Sequence, residues 1–363
     1  MIVYKYLDKK NQTKVQNETS GDFFLQKSLK AIKYPNAFVL PYRNGGKEGC
    51  VLTKGGIPIK NTTLHEEFTE YNDVVDKTNC PKIHKNAIFI GTLFSVFGHV
   101  ITDDIKKIWY LRTKECQKLI EEGADVIYLA WHNIELKSYV SQILEYGGAS
   151  LSCAICVTKN VQYDNIYVPD DSLIIKGNRR FYTKKFRETI DIIKQKGLTC
   201  SLGAKVYRKI YLSRTALHDW RDYGEKKIEK TFEKRGFKII YPEQIPFSDQ
   251  IWLYSHCKEI ASTEGSLSHM FMFCEPNTQV VLLRKANYVN SYQAMLNSMA
   301  GLNVVYIDAN RTLSRKHPWD GPFYLYLTQH LKNFLGIKCL YTKWLDIEFY
   351  IYLLRYIRVC FVK

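Results

Sequence analysis

Apolar and polar positions alternate along the second half of the chain as they do in domains built from successive strands and helices. Short β-branched, apolar runs predict strands at residues 205–212, 237–241, 259–262, 279–283 and 303–307. Segments with apolar residues three and four positions apart predict helices at residues 223–235, 248–257, 265–273 and 292–299. This regular alternation predicts a parallel, doubly wound α/β sheet.

The first half of the chain follows the same style less regularly. Strands are predicted at residues 87–91, 125–130, 151–157 and 165–168, and helices at residues 97–112 and 138–146. Residues 1–80 are weakly patterned, and the Lys- and Arg-rich residues 170–204 are interpreted as the connection between the halves. A chain of 363 residues is expected to form two domains. We predict boundaries at 1–200 and 201–312, with a helical tail at 313–363.

The formal net charge of +16 predicts an acidic partner, which could be nucleic acid, anionic lipid or a phosphorylated substrate. The basic residues are spread along the chain and form no nucleic-acid-binding motif, so nucleic acid is not expected as a partner. Ten cysteines without the spacing of a disulfide framework favour a reducing compartment. With neither a signal peptide nor a membrane-spanning segment in the sequence, a soluble or surface-associated protein is expected.

The most informative segment joins the strand at 87–91 to the helix at 97–112. Residues four apart share one side of a helix, so His99 and Asp103 lie together there. They lie opposite an apolar stripe of Ile101, Ile105 and Ile108. A histidine beside a carboxylate, away from the apolar side, is a candidate acid–base pair. The alternative is a histidine that only caps or packs the start of the helix.

Two further features resemble metal sites and are interpreted otherwise. Asp103 and Asp104 are adjacent on the predicted helix and point about 100° apart, which makes them a poor pair for one ion. Cys153 and Cys156 form a single CxxC inside a strand-like run, where small apolar residues are expected to pack. No metal site and no cofactor are therefore expected.

Open α/β sheets bind ligands at the carboxyl ends of their strands. In the second half, the loops at these ends contain Ser213-Arg214-Thr215, Pro242-Glu243, Glu264-Gly265-Ser266 and Arg284-Lys285. Basic side chains and a glycine leading into a helix predict a site for a phosphate or diphosphate. The alternative is that Gly265 and Ser266 serve only as helix caps.

Three blocks of sequence, in this order, resemble glycosyltransferase family 61, which includes bacterial capsule enzymes, plant xylan xylosyltransferases and animal O-linked GlcNAc transferases. The blocks are Gly98-His99 with Asp103-Asp104 and Trp109-Tyr110-Leu111-Arg112, then Tyr211-Leu212-Ser213-Arg214, then residues 242–281. One departure is clear. Where the family usually has His-Gly-Ala, this chain has Glu264-Gly265-Ser266, with a histidine five residues later at His269.

The resemblance implies two facing Rossmann-like domains of GT-B type. It implies metal-independent, inverting transfer from a nucleotide sugar, most simply a UDP-sugar. The acceptor would approach from domain 1–200, with His99 or Asp103 as the base. The donor would be held by domain 201–312. The donor-site residues implied in this way are Arg214, Glu243, Glu264, Gly265, Ser266, His269 and Arg284.

The tail, which includes Trp344, combines aromatic, aliphatic and basic residues. This composition resembles an interfacial segment on anionic lipid, and the alternative is a helix packed against the domains. We expect a cytoplasmic enzyme, peripheral to the inner face of the membrane, that extends a lipid-linked capsule or lipopolysaccharide glycan. The rival hypotheses are a catalytically inactive family member that acts as an assembly partner, and a basic nucleic-acid-binding protein.

Overall fold

The computed structural model describes residues 1–42, 49–63, 80–131, 135–217, 221–313, 319–338 and 345–361. The strands are β1 (Ile2–Tyr6), β2 (Ala31–Pro35), β3 (Phe38–Leu40), β4 (Cys50–Leu52), β5 (Lys82–Leu93), β6 (Asp125–Ala130), β7 (Ala154–Cys156), β8 (Val161–Pro169), β9 (Leu173–Lys176), β10 (Arg179–Tyr182), β11 (Lys209–Leu212), β12 (Asp222–Tyr223), β13 (Lys238–Ile240), β14 (Glu259–Thr263), β15 (Gln279–Arg284), β16 (Asn303–Asp308) and β17 (Phe323–Tyr324). The helices are α1 (Lys9–Thr19), α2 (Phe97–Val100), α3 (Lys114–Glu121), α4 (Ser138–Tyr146), α5 (Lys184–Cys200), α6 (Glu225–Glu233), α7 (Phe247–His256), α8 (Ser266–His269), α9 (Ser291–Met299), α10 (Gln329–Leu335) and α11 (Ile347–Phe361).

The chain packs into two compact units. The N-terminal unit comprises Phe24–Lys176 and Arg180–Lys196, and the C-terminal unit comprises Met1–Phe23, Gly177–Arg179 and Gly197–Lys363. The first 23 residues therefore belong to the C-terminal unit, whereas the sequence analysis grouped them with residues 24–200. The assignment of acceptor and donor roles to the two parts of the chain stays a prediction.

The N-terminal unit contains a mixed seven-stranded sheet in the order β4-β3-β8-β5-β6-β7, with β2 also paired to β8. Strands β8, β5, β6 and β7 run parallel, while β2 and β3 pair with β8 in the antiparallel direction. The second half of β5 is buried on both sides, and Phe89 of β5 packs with Ile127 of β6 in the core. The end of β5 leads directly into the segment that carries His99.

The C-terminal unit contains a six-stranded parallel sheet in the order β1-β16-β15-β14-β11-β13. The strand order reverses between β11 and β14, because the chain goes from β11 outward to β13 and then returns to β14 on the other side. Ligands of open α/β sheets bind at such a reversal, at the carboxyl ends of the strands. The prediction of an α/β chain with a parallel sheet is confirmed.

The prediction of one helix over residues 97–112 is wrong. Only its first turn is α-helical, as α2, and the chain continues in 3₁₀ turns at Asp104–Lys106 and Ile108–Arg112. The tighter turns let buried charged groups reach partners outside the segment: Asp104 accepts from Phe94 N–H, and Lys107 pairs with Asp171. The predicted stripe of Ile101, Ile105 and Ile108 is nevertheless fully buried.

Residues 170–204, interpreted from the sequence as a connection, contain the hairpin-like pair β9 and β10 and the long helix α5. No helix in the described part of the chain combines the length and the apolar character needed to cross a membrane.

Candidate active site

His99 and Asp103 form a hydrogen-bonded pair at the start of the segment after β5. His99 Nδ1 lies 2.8 Å from Asp103 Oδ2, and Thr102 Oγ1 donates to the same oxygen at 3.2 Å. The histidine side chain is 37 % exposed, whereas that of Asp103 is 2 % exposed. Because a carboxylate accepts hydrogen bonds, it favours the proton on Nδ1 and leaves the lone pair on Nε2. The pair has the arrangement of an oriented general base.

Phe94 contacts the imidazole of this pair and is itself tied to the neighbouring Asp104. The ring of Phe94 stacks on His99 with centroids 4.8 Å apart. The N–H of Phe94 donates to the buried Asp104 Oδ2 at 2.9 Å, which ties the end of β5 to the turn below His99. Burial, reinforced by the neighbouring Asp103, holds the pKa of Asp104 well above its usual range. Asp103 therefore binds the imidazole of His99, whereas Asp104 binds the backbone N–H of Phe94.

A small cavity lies beside Asp103 in the N-terminal unit. Its lining includes Thr62, Phe94 and Lys106. The polar groups of this lining already have partners in the protein: Thr62 Oγ1 donates to Ile59 O at 2.6 Å, and Lys106 Nζ pairs with Asp171 at 3.1 Å. In the described ranges, no group of three or more His, Cys, Asp or Glu residues is placed to hold a metal ion.

In the C-terminal unit, the loop after β11 is anchored by one carboxylate. Ser213 Oγ and Thr215 Oγ1 both donate to Glu229 Oε2, at 2.6 and 2.5 Å, and Tyr241 OH donates to Glu229 Oε1 at 3.1 Å. Glu229 lies on α6, the helix that follows this loop. The residue between the two hydroxyls is Arg214, so its backbone is held from both sides.

Arg214 and Lys285 share a counter-ion that the sequence did not reveal. Arg214 Nε lies 3.5 Å from Asp222 Oδ2, and Lys285 Nζ lies 3.2 Å from Asp222 Oδ1. The two basic residues follow β11 and β15, so two strand ends bring their charges to one carboxylate. Asp222 lies just before a predicted helix and 63 positions from Lys285. No local sequence pattern marks that pairing.

Gly265 and Ser266 open α8, but this helix has a single turn. Gly265 has φ of +142° and lies beside Lys285, whose Nζ would be 3.6 Å from a Cβ at that position. The N–H of Gly265 donates to Ser268 Oγ at 3.2 Å and is therefore already engaged within the turn. The ammonium group of Lys285, rather than the backbone amides of this turn, is therefore the stronger group for binding an anion.

Glu264 directly follows β14 and is buried. Burial raises its pKa to about 7, although the nearby charge of Arg284 and a hydrogen bond from the backbone N–H of Asn290 oppose that shift. None of the described residues donates a hydrogen bond to Glu264 Oε1. A buried carboxyl oxygen that accepts no hydrogen bond from the protein is available to accept one from a ligand hydroxyl.

The remaining predicted donor residues have different settings. The side chain of Arg284 is fully buried and is fixed by Asp308, with Nη1 2.5 Å from Oδ1. His269 is buried, and its Nδ1 lies 2.9 Å from Gln293 Oε1. Glu243 is exposed on the 3₁₀ turn Pro242–Gln244. The structure thus groups Arg214, Lys285, Glu264 and Gly265, while Glu243 lies on a separate loop.

A family model described as Glycosyltransferase 61 matches residues 97–281, about half of the chain. The chain belongs to glycosyltransferase family 61. The matched range begins two residues before His99 and ends within β15, so Arg284, Lys285 and α11 lie beyond it. A search among curated proteins finds no match to this chain. Membership of the family supports a glycosyltransferase activity, which involves a sugar donor and an acceptor.

Proposed function

We propose that the protein transfers a sugar from a nucleoside-diphosphate sugar, most simply a UDP-sugar, to a hydroxyl group of a glycan. The proposal rests chiefly on the hydrogen-bonded pair of His99 and Asp103 in a chain of this family. Such transfer needs a base for the acceptor hydroxyl and positive charge for the leaving diphosphate. The N-terminal unit would supply the base, and the C-terminal unit would supply the positive charge. The GT-B-type architecture of two facing Rossmann-like domains stays a prediction.

In the proposed reaction, His99 Nε2 takes the proton of the acceptor hydroxyl while Asp103 holds the ring through Nδ1. The acceptor oxygen forms a bond to the anomeric carbon from the side opposite the leaving group. The bond between that carbon and the diphosphate oxygen breaks, and the nucleoside diphosphate leaves with the electron pair. The configuration of the anomeric carbon is inverted. No metal or cofactor enters this scheme.

For the donor, Arg214 and Lys285 are the proposed partners of the diphosphate. Gly265 keeps the space beside Lys285 open, and Glu264 accepts a hydrogen bond from a sugar or ribose hydroxyl in place of the family's histidine. Because Arg284 and His269 are buried, we propose that they support the residues that contact the donor. Ser266 is proposed to have the same supporting role. Glu243 is proposed as a contact to the nucleoside.

We also propose that the acceptor is a lipid-linked glycan of a capsule or lipopolysaccharide, reached by a cytoplasmic protein peripheral to the membrane. The support comes from α11. Ile347, Tyr350, Ile351, Leu354 and Ile357 share one side of this helix and are all exposed, Leu354 by 71 %. Arg358 is exposed at its end, and the whole chain has a net charge of +16. An exposed apolar stripe on a basic protein suits an anionic lipid surface.

The direct test is incubation with a panel of nucleotide sugars and lipid-linked acceptors, with released nucleoside diphosphate as the readout. Binding of UDP is measured separately by thermal shift, where a ligand at 100 times its Kd stabilises by about 2.7 kcal/mol. Release of UDP with transfer supports the proposal. Binding without transfer across the panel favours an inactive assembly partner. If the protein binds neither nucleotide sugars nor UDP but retains nucleic acid in a gel shift in a salt-sensitive way, the nucleic-acid-binding alternative is favoured.

A further inference from the structure

Strands β12 and β17 form a short parallel ribbon in the C-terminal unit, and one side of it holds Lys285. Asp222 and Phe323 are paired in register. The first lies 3.2 Å from Lys285 Nζ, and the ring of the second lies 4.4 Å from the same nitrogen. The carboxylate and the aromatic ring both attract the ammonium group, so the ribbon fixes where its charge lies. Asp222 holds Arg214 as well.

The opposite side of the ribbon carries α11. The next residues along the two strands, Tyr223 and Tyr324, point the other way, because successive side chains of a strand alternate. The ring of Tyr324 packs on Phe349 and Tyr352 with centroids 5.0 and 5.7 Å apart, and Tyr352 is fully buried. Tyr223 adds an edge contact to Tyr352.

Polar bonds fix the register of this packing. Glu348 Oε2 accepts from the N–H of Gly224 at 2.5 Å, immediately after β12. Asp346, fully buried ahead of α11, accepts from Tyr324 OH at 3.0 Å and pairs with Lys227 at 2.7 Å. Gly224 has φ of +81°, and a Cβ there would overlap Leu325 O. The junction of β12 with α6 therefore has little freedom to shift on its own.

We propose that the inner side of α11 is a positioning element of the donor site: through Glu348 and the β12–β17 ribbon, it sets Lys285 and Arg214 for the diphosphate. The consequence for the diphosphate rests on the proposed function, whereas the coupling between Glu348 and Lys285 does not. The helix then has two separable roles, because the residues that hold the ribbon and those that form the exposed stripe lie on different sides.

The test compares Glu348→Ala, which removes the acceptor of the Gly224 N–H, with Glu348→Gln, which keeps an oxygen there. Mass spectrometry of lysine acetylation measures the accessibility of Lys285, and calorimetry measures the Kd of UDP on the full chain. We expect faster labelling of Lys285 and a Kd raised roughly 3- to 30-fold in Glu348→Ala. Glu348→Gln is expected to restore both. The double variant Ile351→Gln with Leu354→Gln should leave both unchanged and lose only vesicle binding.

Each outcome bears on one proposal. If Lys285 labelling and the Kd of UDP in Glu348→Ala match the wild type, the positioning role of α11 is overturned. If the wild type binds no nucleotide but Lys285 labelling still rises, the coupling stands and the proposed function falls. Should Glu348→Ala fail to fold, Glu348→Met replaces it, since it removes the acceptor of the Gly224 N–H and keeps an unbranched side chain of similar length. Unchanged Lys285 labelling in that variant overturns the inference equally.

Discussion

His99 and Asp103 differ in exposure in the way that a base and its orienting group should. His99→Ala is expected to lower transfer by roughly 10²- to 10⁴-fold, the usual contribution of a general base, while the Kd of UDP stays constant. Asp103→Asn separates the two assignments, because the amide oxygen still accepts from Nδ1. A modest loss in that variant supports His99 as the base, and a loss as large as that of His99→Ala supports the carboxylate. A His99→Ala variant with full turnover and a lower Tm would show that the histidine only packs the turn.

The two arginines of the donor edge are expected to respond differently to the same substitution. Arg214→Ala removes a charge-assisted contact and should raise the Kd of UDP roughly 10- to 100-fold, with little change in stability. Arg284→Ala leaves Asp308 buried without its cation and should cost about 3–5 kcal/mol of unfolding free energy. Denaturant unfolding and calorimetry measure the two quantities. Equal effects of the two variants on UDP binding would contradict this division.

The buried carboxyl of Glu264 gives a pH-dependent stability with a definite sign. Its pKa is raised to about 7 from an ordinary value of 4.5, so the folded state holds the proton more tightly than the unfolded state. The stabilising contribution is complete below pH 4.5 and is lost as the pH rises to about 7. Glutamine does not titrate, so Glu264→Gln should gain stability over the wild type across this interval, by up to about 3 kcal/mol. A difference independent of pH would contradict the raised pKa.

Several helices and strands of both units were predictable, and in the N-terminal unit β6 and α4 match the predicted ranges 125–130 and 138–146. In the C-terminal unit, helix α9 and strands β14, β15 and β16 lie within one residue of the ranges inferred from the apolar pattern. The three strands are buried along almost their whole length, so each appears in the sequence as a short apolar run. Parallel pairing then placed Arg214, Gly265 and Arg284 at one edge. The segment after His99 was less predictable, since its turns are shaped by buried charges whose partners are distant in sequence.

Two features of the proposed donor site could not be inferred from local sequence pattern. The N–H of Gly265 donates to a side chain three residues later, a competition that helix-start statistics do not reveal. Asp222 reaches Lys285 only because β12 pairs with β17, about 100 residues further along the chain. Pairing between two-residue strands carries almost no sequence signal.

The ribbon itself can be tested through Gly224. Gly224→Ala places a side chain on a residue with left-handed backbone conformation and against the backbone oxygen of Leu325. The left-handed conformation costs roughly 1–2 kcal/mol by itself, so the free energy of unfolding should fall by more than that. Gly123→Ala is the matched control: its φ is +91°, and a Cβ there meets no atom within 4 Å. Thermal unfolding compares the two variants. Equal losses of thermal stability in Gly224→Ala and Gly123→Ala would show that the ribbon tolerates displacement.

For the whole molecule, the tail helix is packed on one side, and its contact with an anionic lipid surface stays a prediction. One side of α11 is packed, as the aromatic cluster of Tyr324, Phe349 and Tyr352 shows, and the other side is exposed. Trp344, where the predicted interfacial segment begins, lies outside the described residues. Deleting the tail would remove the packed aromatics together with the stripe, so point substitutions are the sharper test.

Ile351→Gln combined with Leu354→Gln should weaken binding to anionic vesicles roughly 100-fold, because two exposed apolar side chains would no longer be buried in lipid. Leu202→Gln replaces a similarly exposed leucine outside the stripe and should leave vesicle binding unchanged. Co-sedimentation with vesicles of stated anionic content measures both. If the double variant binds as the wild type does, the stripe is not the lipid contact.

The position of β1 has a consequence for how the molecule is made. Ile2 pairs with Val304, so β1 is the neighbour of a strand that is made about 300 residues after it. At a translation rate of 5–20 residues per second, that interval lasts roughly 15–60 s. Asp8 N–H and Asn11 Nδ2 then bind Asp308, the partner of Arg284. We therefore expect β1 to wait for its partner throughout that interval, and the sheet edge that carries Arg284 to be completed only after β16 has been made.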